Sequence, residues 1–316
     1  MKYKKIDTKL FVKNRKNFVN KLEQKSIAFF NSNDIYPISA DSTLPFDQHR
    51  DIFYLSGIDQ EESILVLFPD SKNMSYKEML FIRETNEHIT HWEGEKLTKE
   101  QAKKISGINN VYWLGELDDI LRDVLKKVDF VYINTNEHYR QNVQTQTRED
   151  RFIKNLKKIG GLNFKKSNPI LQKQRSVKDN IEIQLIKTAC EITKMGFERV
   201  LNFIKPGVWE YEIEAEFSHE FLKNRSRKFA YTPIIASGRN SNFLHYIYNN
   251  KQCLDGEIVL MDVAAEYANY SSDMTRTVPV NGKFSKRQKT IYNAVLNVKN
   301  EATKLLRPGI LWHDYH

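Results

Sequence analysis

The chain has 316 residues, 40% of them hydrophobic, and a formal net charge of +9. That length suffices for two ordinary globular domains, and no stretch of about 18 apolar residues offers a membrane-spanning helix. The charge divides as +4 over residues 1–170 and +5 over 171–316 without a dominant basic block, which argues against a nucleic-acid partner, and Cys190 and Cys253 stand too far apart for a disulfide framework or a zinc ribbon.

The N-terminus, MKYKKIDTKLFVKNRKNFVNKL, has the charges of a secretory n-region but no apolar h-region after them, and its Phe, Val and Leu residues fall at helical spacing. It reads as a surface helix of a cytoplasmic protein. Next, SIAFF and SILVLF are short apolar strands, separated by DSTLPFDQHRDIFYLSGIDQEE with a turn at Gly57. Further strands are predicted at 78–83 and 129–134, with helices at 98–105 and 117–127. Strands alternating with helices predict a compact α/β domain over residues 1–170. Trp92, in THWEGEKLT, reads as a tryptophan in a polar loop.

The polar stretch 165–173, with Pro169, is the expected linker. A long helix follows, capped by Ser176 or Asp179, with Ile181, Leu185, Ala189, Ile192, Gly196, Val200 and Ile204 on one face. Pro206-Gly207 ends it, and an acidic helix covers 210–223. Apolar Ile234-Ile235-Ala236 then leads into a Ser237-Gly238-Arg239-Asn240 turn, and His245 falls in a second expected strand among Phe243, Leu244, Tyr246 and Ile247.

The stretch 257–280, EIVLMDVAAEYANYSSDMTRTVPV, holds two strand-like segments with one aspartate each. The first is continuously apolar, which places Asp262 in the core, where an unpaired carboxylate costs several kcal/mol. In the second, Asp273 alternates with Ser271, Thr275 and Thr277. A hairpin centred on Tyr267-Ala268 sets Asp262 and Asp273 opposite each other, a repulsive arrangement that a manganese, magnesium or zinc ion between them relieves. Spacing alone also allows an ion pair of Asp273 with Arg276 and a turn-capping Asp262.

A last helix, 285–306, ends in LRPGILWHDY, which repeats the IKPGVWEY motif 102 residues earlier. Both follow long amphipathic helices, so the second reads as the start of another copy of a unit of about 100 residues. His313 and His316 lie in this second motif and read as surface residues.

The order VKDNIEIQLIKTACEI, KPG, ASGRNSNFLHY, MDVAAEYANYSSDMTRT and LRPG resembles the Xaa-Pro aminopeptidases, the aminopeptidase P group of pita-bread metallopeptidases. FDQHRDIFYLSGIDQEESILVLF and HWEGEKLT resemble their N-terminal domain. His245, Asp262 and Asp273 stand 17 and 11 residues apart, which is the family's spacing. The resemblance implies a fold of mixed α/β (α+β) class: a creatinase/aminopeptidase P-type α/β domain over 1–170, then the first part of a pita-bread domain over 171–316. It implies two divalent ions, commonly Mn(2+), with Asp262 holding one and Asp273 bridging both. A metal-bound hydroxide would attack the Xaa-Pro amide, with His245 beside the substrate. It further implies peptide substrates with proline second, homo-oligomers, and a Trp92 that reaches toward a neighbouring subunit's site.

Family members complete the site with a histidine and two glutamates from the second half of the domain, which these 316 residues do not include. The expectation is therefore a truncated form that is inactive or weakly active, with open apolar surface and sheet edges. A non-catalytic peptide- or protein-binding use of the fold, and a prolidase- or creatinase-type hydrolase, are the alternatives; a basic α/β nucleic-acid module is disfavoured.

Overall fold

The computed structural model describes residues 3–138 and 144–316, and these form two compact units, Lys4–Ile183 and one built on Gln184–His316. In the first, strands β1 (Ser26–Asn31), a small hairpin of β2 (Pro37–Ser39) and β3 (Ser42–Thr43), β4 (Ile64–Leu67), β5 (Glu78–Ile82), β6 (Asn110–Trp113), β7 (Phe130–Ile133) and β8 (Asn163–Lys166) are interleaved with helices. All but the hairpin join one sheet in the order β6-β5-β4-β1-β7-β8. It is mixed: β1 pairs antiparallel with β4 and parallel with β7.

The helices of this unit are α1 (Thr8–Val19), α2 (Arg50–Ser56), α3 (Glu87–Glu93), α4 (Lys99–Ser106), α5 (Leu117–Val124), α6 (Arg148–Lys157) and α7 (Asn168–Ser176). The central strands are apolar at every position because both faces are covered. Ala28, Phe30, Leu65, Leu67, Leu80 and Ile82 pack with residues of α1, α2, α4 and α7. Their sequence neighbours Ile27, Phe29, Ile64, Val66, Met79 and Phe81 pack with α5 and α6. The expected strands and the helices at 98–105 and 117–127 are all present, the first of these capped by a reciprocal Thr98–Gln101 pair.

Three expectations for this unit change. The N-terminal helix is amphipathic rather than superficial: Leu10, Phe11 and Phe18 are buried, and Arg15 is fully enclosed. Arg15 Nη1 donates to the carbonyls of Leu55 (2.8 Å) and Ser106 (2.9 Å), which belong to the last turns of α2 and α4. A guanidinium at two helix C-termini satisfies carbonyls that the helices leave open and meets the negative ends of their dipoles. Met1 and Lys2, also in the predicted helix, lie outside the described residues. Second, the stretch 165–173 is not a linker, since it contains the end of β8 and most of α7, with Leu171 in the core. The unit boundary accordingly falls at 183/184, not 170/171, and lies within helix α8 (Asn180–Phe203). Third, Trp92 sits in α3, not in a loop, and its exposed indole contacts the rings of His88 and His91.

The second unit starts from α8, which Asp179 caps through Ile181 N (2.9 Å) while Glu182 returns a bond to Asp179 N (2.8 Å). Helix α9 (Glu210–Lys223) packs on it through the Phe197–Phe217 ring contact, and Gly196 leaves room for the rings of α9. A Cβ there would lie 2.6 Å from the Phe221 ring and 2.9 Å from that of Phe217. Strands β9 (Ile234–Ser237), β10 (Ile258–Asp262) and β13 (Thr275–Pro279) form a sheet in the order β13-β10-β9, and β11 (Glu266–Tyr267) with β12 (Tyr270–Ser271) forms the tip of the hairpin.

The two Pro-Gly motifs fold alike. Gly207 and Gly309 have φ of 97° and 92°, and each is followed two residues later by an extended N-cap, Trp209 or Leu311. The first cap opens α9 and the second opens α11 (Trp312–Tyr315). Helix α10 (Lys286–Leu305) buries no residue, and Val295 is 63% exposed. Beside it Ile258, Leu260, Phe284 and Tyr292 line an open apolar cleft of about 720 Å³.

Candidate active site

The strand β10 alternates between buried and half-buried residues, with Val259 and Met261 on the covered face. Asp262 is on the other face with Ile258 and Leu260, so it is half-buried at the core's edge rather than inside it. The hairpin register also differs from expectation. Its turn is Ala268-Asn269, both with positive φ (51° and 66°), the two-residue geometry that matches strand twist. Glu266 therefore pairs with Ser271, and Asp262 pairs with Thr275 instead of Asp273. Moving the turn by one residue shifts the partner by two, which keeps the same face.

The carboxylates nevertheless converge, on a residue that lies outside the hairpin. Tyr231 precedes β9 and is carried to the end of β10 by the pairing of Asp262 with Ile234 and by the Ala230 N bond to Ala264 O at 2.8 Å. Its hydroxyl is 2.6 Å from Asp262 Oδ1 and 3.1 Å from Asp273 Oδ1. Burial and the two carboxylates raise the phenol pKa far above its ordinary value, so it stays protonated as their shared donor. Neither aspartate forms an ion pair among the described residues, and Arg276 instead donates to the Thr275 carbonyl at 2.8 Å.

His245 is not in a strand. It follows the 3-10 turn Gly238–Asn242 and lies in an exposed turn, with its neighbour Leu244 90% exposed. Of the apolar residues that suggested a strand, Phe243, Leu244 and Ile247 face outward, while buried Tyr246 and Asn249 pin the loop. Asn249 Oδ1 accepts from Ile235 N at 3.0 Å, and its amide donates to Glu214 Oε2 at 2.8 Å. Tyr246 donates to Glu210 Oε2 at 2.7 Å, and burial together with that carboxylate pushes its pKa up to about 12. No hydrogen bond joins His245 to Asp262 or Asp273 among the described residues.

Glu210, in sequence only one acid at the start of an acidic helix, is fully buried. Its Oε1 accepts from Ser237 N (2.7 Å) and Ser237 Oγ (2.8 Å), and its Oε2 from Lys251 N (2.9 Å) as well as Tyr246. One carboxylate thus ties α9 to the end of β9 and to both ends of the loop that carries His245. Gly238, at the start of that loop, has φ of +51°, and a Cβ there would displace the Glu257 carboxylate, so any other residue is strained at this position.

Asp262 and Asp273 offer the hard oxygen donors that manganese, magnesium or zinc accept. Among the described residues, however, no group of three or more His, Cys, Asp or Glu side chains is arranged to hold a metal ion. The two carboxylates and the phenol between them do not by themselves fit a dinuclear centre. His313 and His316 are exposed.

Residues 184–316 match the family model described as metallopeptidase family M24, and residues 11–132 match the aminopeptidase P N-terminal domain. The Xaa-Pro aminopeptidase of Escherichia coli K12 is 30% identical over 306 residues, covering 96% of this chain and 69% of that protein. That of Haemophilus influenzae is 33% identical, covering 85% and 60%, and human Xaa-Pro aminopeptidase 3 is 30% identical, covering 88% and 55%. The chain thus spans 55–69% of the length of these relatives. Among solved structures, Pseudomonas aeruginosa aminopeptidase PepP superposes with a TM-score of 0.90 at 28% identity, covering 99% of this chain and 71% of that one. Escherichia coli aminopeptidase P with the inhibitor Pro-Leu gives 0.86 at 30%, covering 97% and 70%. The two family matches occur in the order that the sequence motifs predicted, and with these relatives they establish that the chain belongs to the aminopeptidase P (Xaa-Pro aminopeptidase) family of M24 metallopeptidases.

Proposed function

We propose that this chain carries part of the machinery that releases the N-terminal residue from peptides with proline second. Asp262 and Asp273 are its metal ligands, and His245 is the group that meets the substrate. The observation that carries the reading is the convergence of the two carboxylates on the Tyr231 hydroxyl, 2.6 and 3.1 Å away, at the positions the family resemblance assigns to ligands. Two ions of the manganese type suit such oxygen donors. Because the donor set in these 316 residues is incomplete, the chain on its own binds divalent ions weakly and is inactive or weakly active.

The exposed Trp92 is assigned to peptide contact in a neighbouring subunit of a homo-oligomer. The reading is tested by titrating the chain with Mn(2+) and following the free-ion signal by electron paramagnetic resonance. Weak saturable binding that disappears in the Asp262→Asn, Asp273→Asn double variant is expected. Binding that survives the double substitution overturns the ligand assignment.

A further inference from the structure

The sheet β13-β10-β9 has two edges, and side chains close only one of them. In β9 the backbone N–H groups that point away from β10 belong to Ile235 and Ser237, and they donate to Asn249 Oδ1 (3.0 Å) and Glu210 Oε1 (2.7 Å). At β13 the ladder fixes which groups point outward. Val263 N donates to Met274 O at 3.1 Å and Val280 N to Glu257 O at 2.9 Å, so Met274, Arg276, Val278 and Val280 turn their backbone groups toward β10. Thr275, Thr277 and Pro279 therefore present theirs to the free edge.

Among the described residues the outward N–H and C=O of Thr277 have no partner. The Thr275 carbonyl is held by Arg276 Nη1 at 2.8 Å, and Pro279 has no N–H. An edge of this kind is a template for another strand. The space beside it is open: Thr275 and Thr277 line the cleft of about 720 Å³ with Leu260 and Val295, and Arg276 and Val278 line one of about 460 Å³ with Phe197 and Leu201.

We propose that β13 pairs antiparallel with β13 of a second copy of this chain, about a two-fold axis at Thr277. In that register each Thr277 exchanges two hydrogen bonds with its copy, and each Thr275 N–H donates to the other chain's Pro279 carbonyl. The bond that Pro279 cannot donate would fall on the Thr275 carbonyl, which Arg276 already covers. No outward group is left over. Arg276 then lies opposite Val278, whereas centring the pair on Arg276 sets two guanidinium groups against each other, and centring it on Thr275 needs the carbonyl that Arg276 holds. The contact belongs to the second unit and does not depend on Trp92.

Sedimentation equilibrium of the full 316-residue chain across the micromolar range tests it. A monomer–dimer equilibrium is expected. Its dissociation constant rises at least tenfold in Thr277→Pro, which removes the central N–H, and in Thr277→Lys, which sets two like charges opposite each other. Both variants keep the ladder to β10, because Thr277 donates nothing to it. Hydrogen exchange at the Thr277 amide is expected to slow at least tenfold between dilute and dimeric samples. Trp92→Ala, in the other unit, is expected to leave the dimer intact, which separates this contact from the oligomer assigned to Trp92. A chain monomeric at every concentration, a dimer that either Thr277 variant leaves at full strength, exchange at Thr277 independent of concentration, or loss of the dimer in Trp92→Ala overturns the proposal.

Discussion

At Glu210 a carboxylate is taken wholly out of water, and the arrangement is stable because Ser237, Tyr246 and Lys251 supply donors to both oxygens. Removing it leaves several buried donors unsatisfied. Glu210→Ala is therefore expected to lower stability by about 3 kcal/mol in urea unfolding, more than a surface Glu→Ala would. Glu149 is the opposite case. Burial outweighs its bonds from Asn31 (2.8 Å) and Asn134 N (3.3 Å) and raises its pKa to about 7. A folded-state pKa above the unfolded value means that the folded protein holds the extra proton between about pH 4.5 and 7. Stability is then full below that window and falls by about 1.4 kcal/mol per pH unit through it. Glu149→Gln is expected to flatten this dependence and to raise the melting temperature at pH 8 while leaving it nearly unchanged at pH 4.5. The aspartate pair was legible in the sequence because charges stand out in apolar strands. Tyr231 and Glu210 were not, because their partners lie 31 and 42, and 27 to 41, residues away, and local pattern carries no signal of such contacts.

At the scale of elements, strand and helix identity followed from periodicity, and register did not. The apolar runs at 26–30, 63–68 and 78–83 read as strands, and the structure covers them on both faces. The hairpin centre, by contrast, depended on which two residues accept positive φ, and Ala268 gives less warning of that than glycine would. Ala268→Gly is expected to stabilise the chain by about 1 kcal/mol by removing left-handed strain, and a valine there to destabilise it. Denaturant midpoints of the two variants decide the matter. The loop around His245 misled for a related reason: Phe243, Leu244 and Ile247 look like a strand, yet Glu210 and Asn249 hold the segment as turns with those side chains exposed.

For the molecule as a whole, the two-part division was readable from composition, but its boundary was not. Leu171 and Ile170 attach α7 to the first core, which moves the division into α8. Gly207 and Gly309 share one Pro-Gly backbone geometry, and α10 carries exposed apolar residues such as Val295 and Val298. The proposed role of Asp262 and Asp273 as a partial ligand set rests on their convergence at the Tyr231 hydroxyl. It is tested most directly by incubating the purified 316-residue chain with Mn(2+) and the peptide Ala-Pro-Ala and measuring free alanine. Release no faster than a chain-free blank, or only marginally faster and lost in Asp262→Asn, is the predicted result. Multiple turnovers at a rate typical of peptidases, about 1 per second or more, would contradict it.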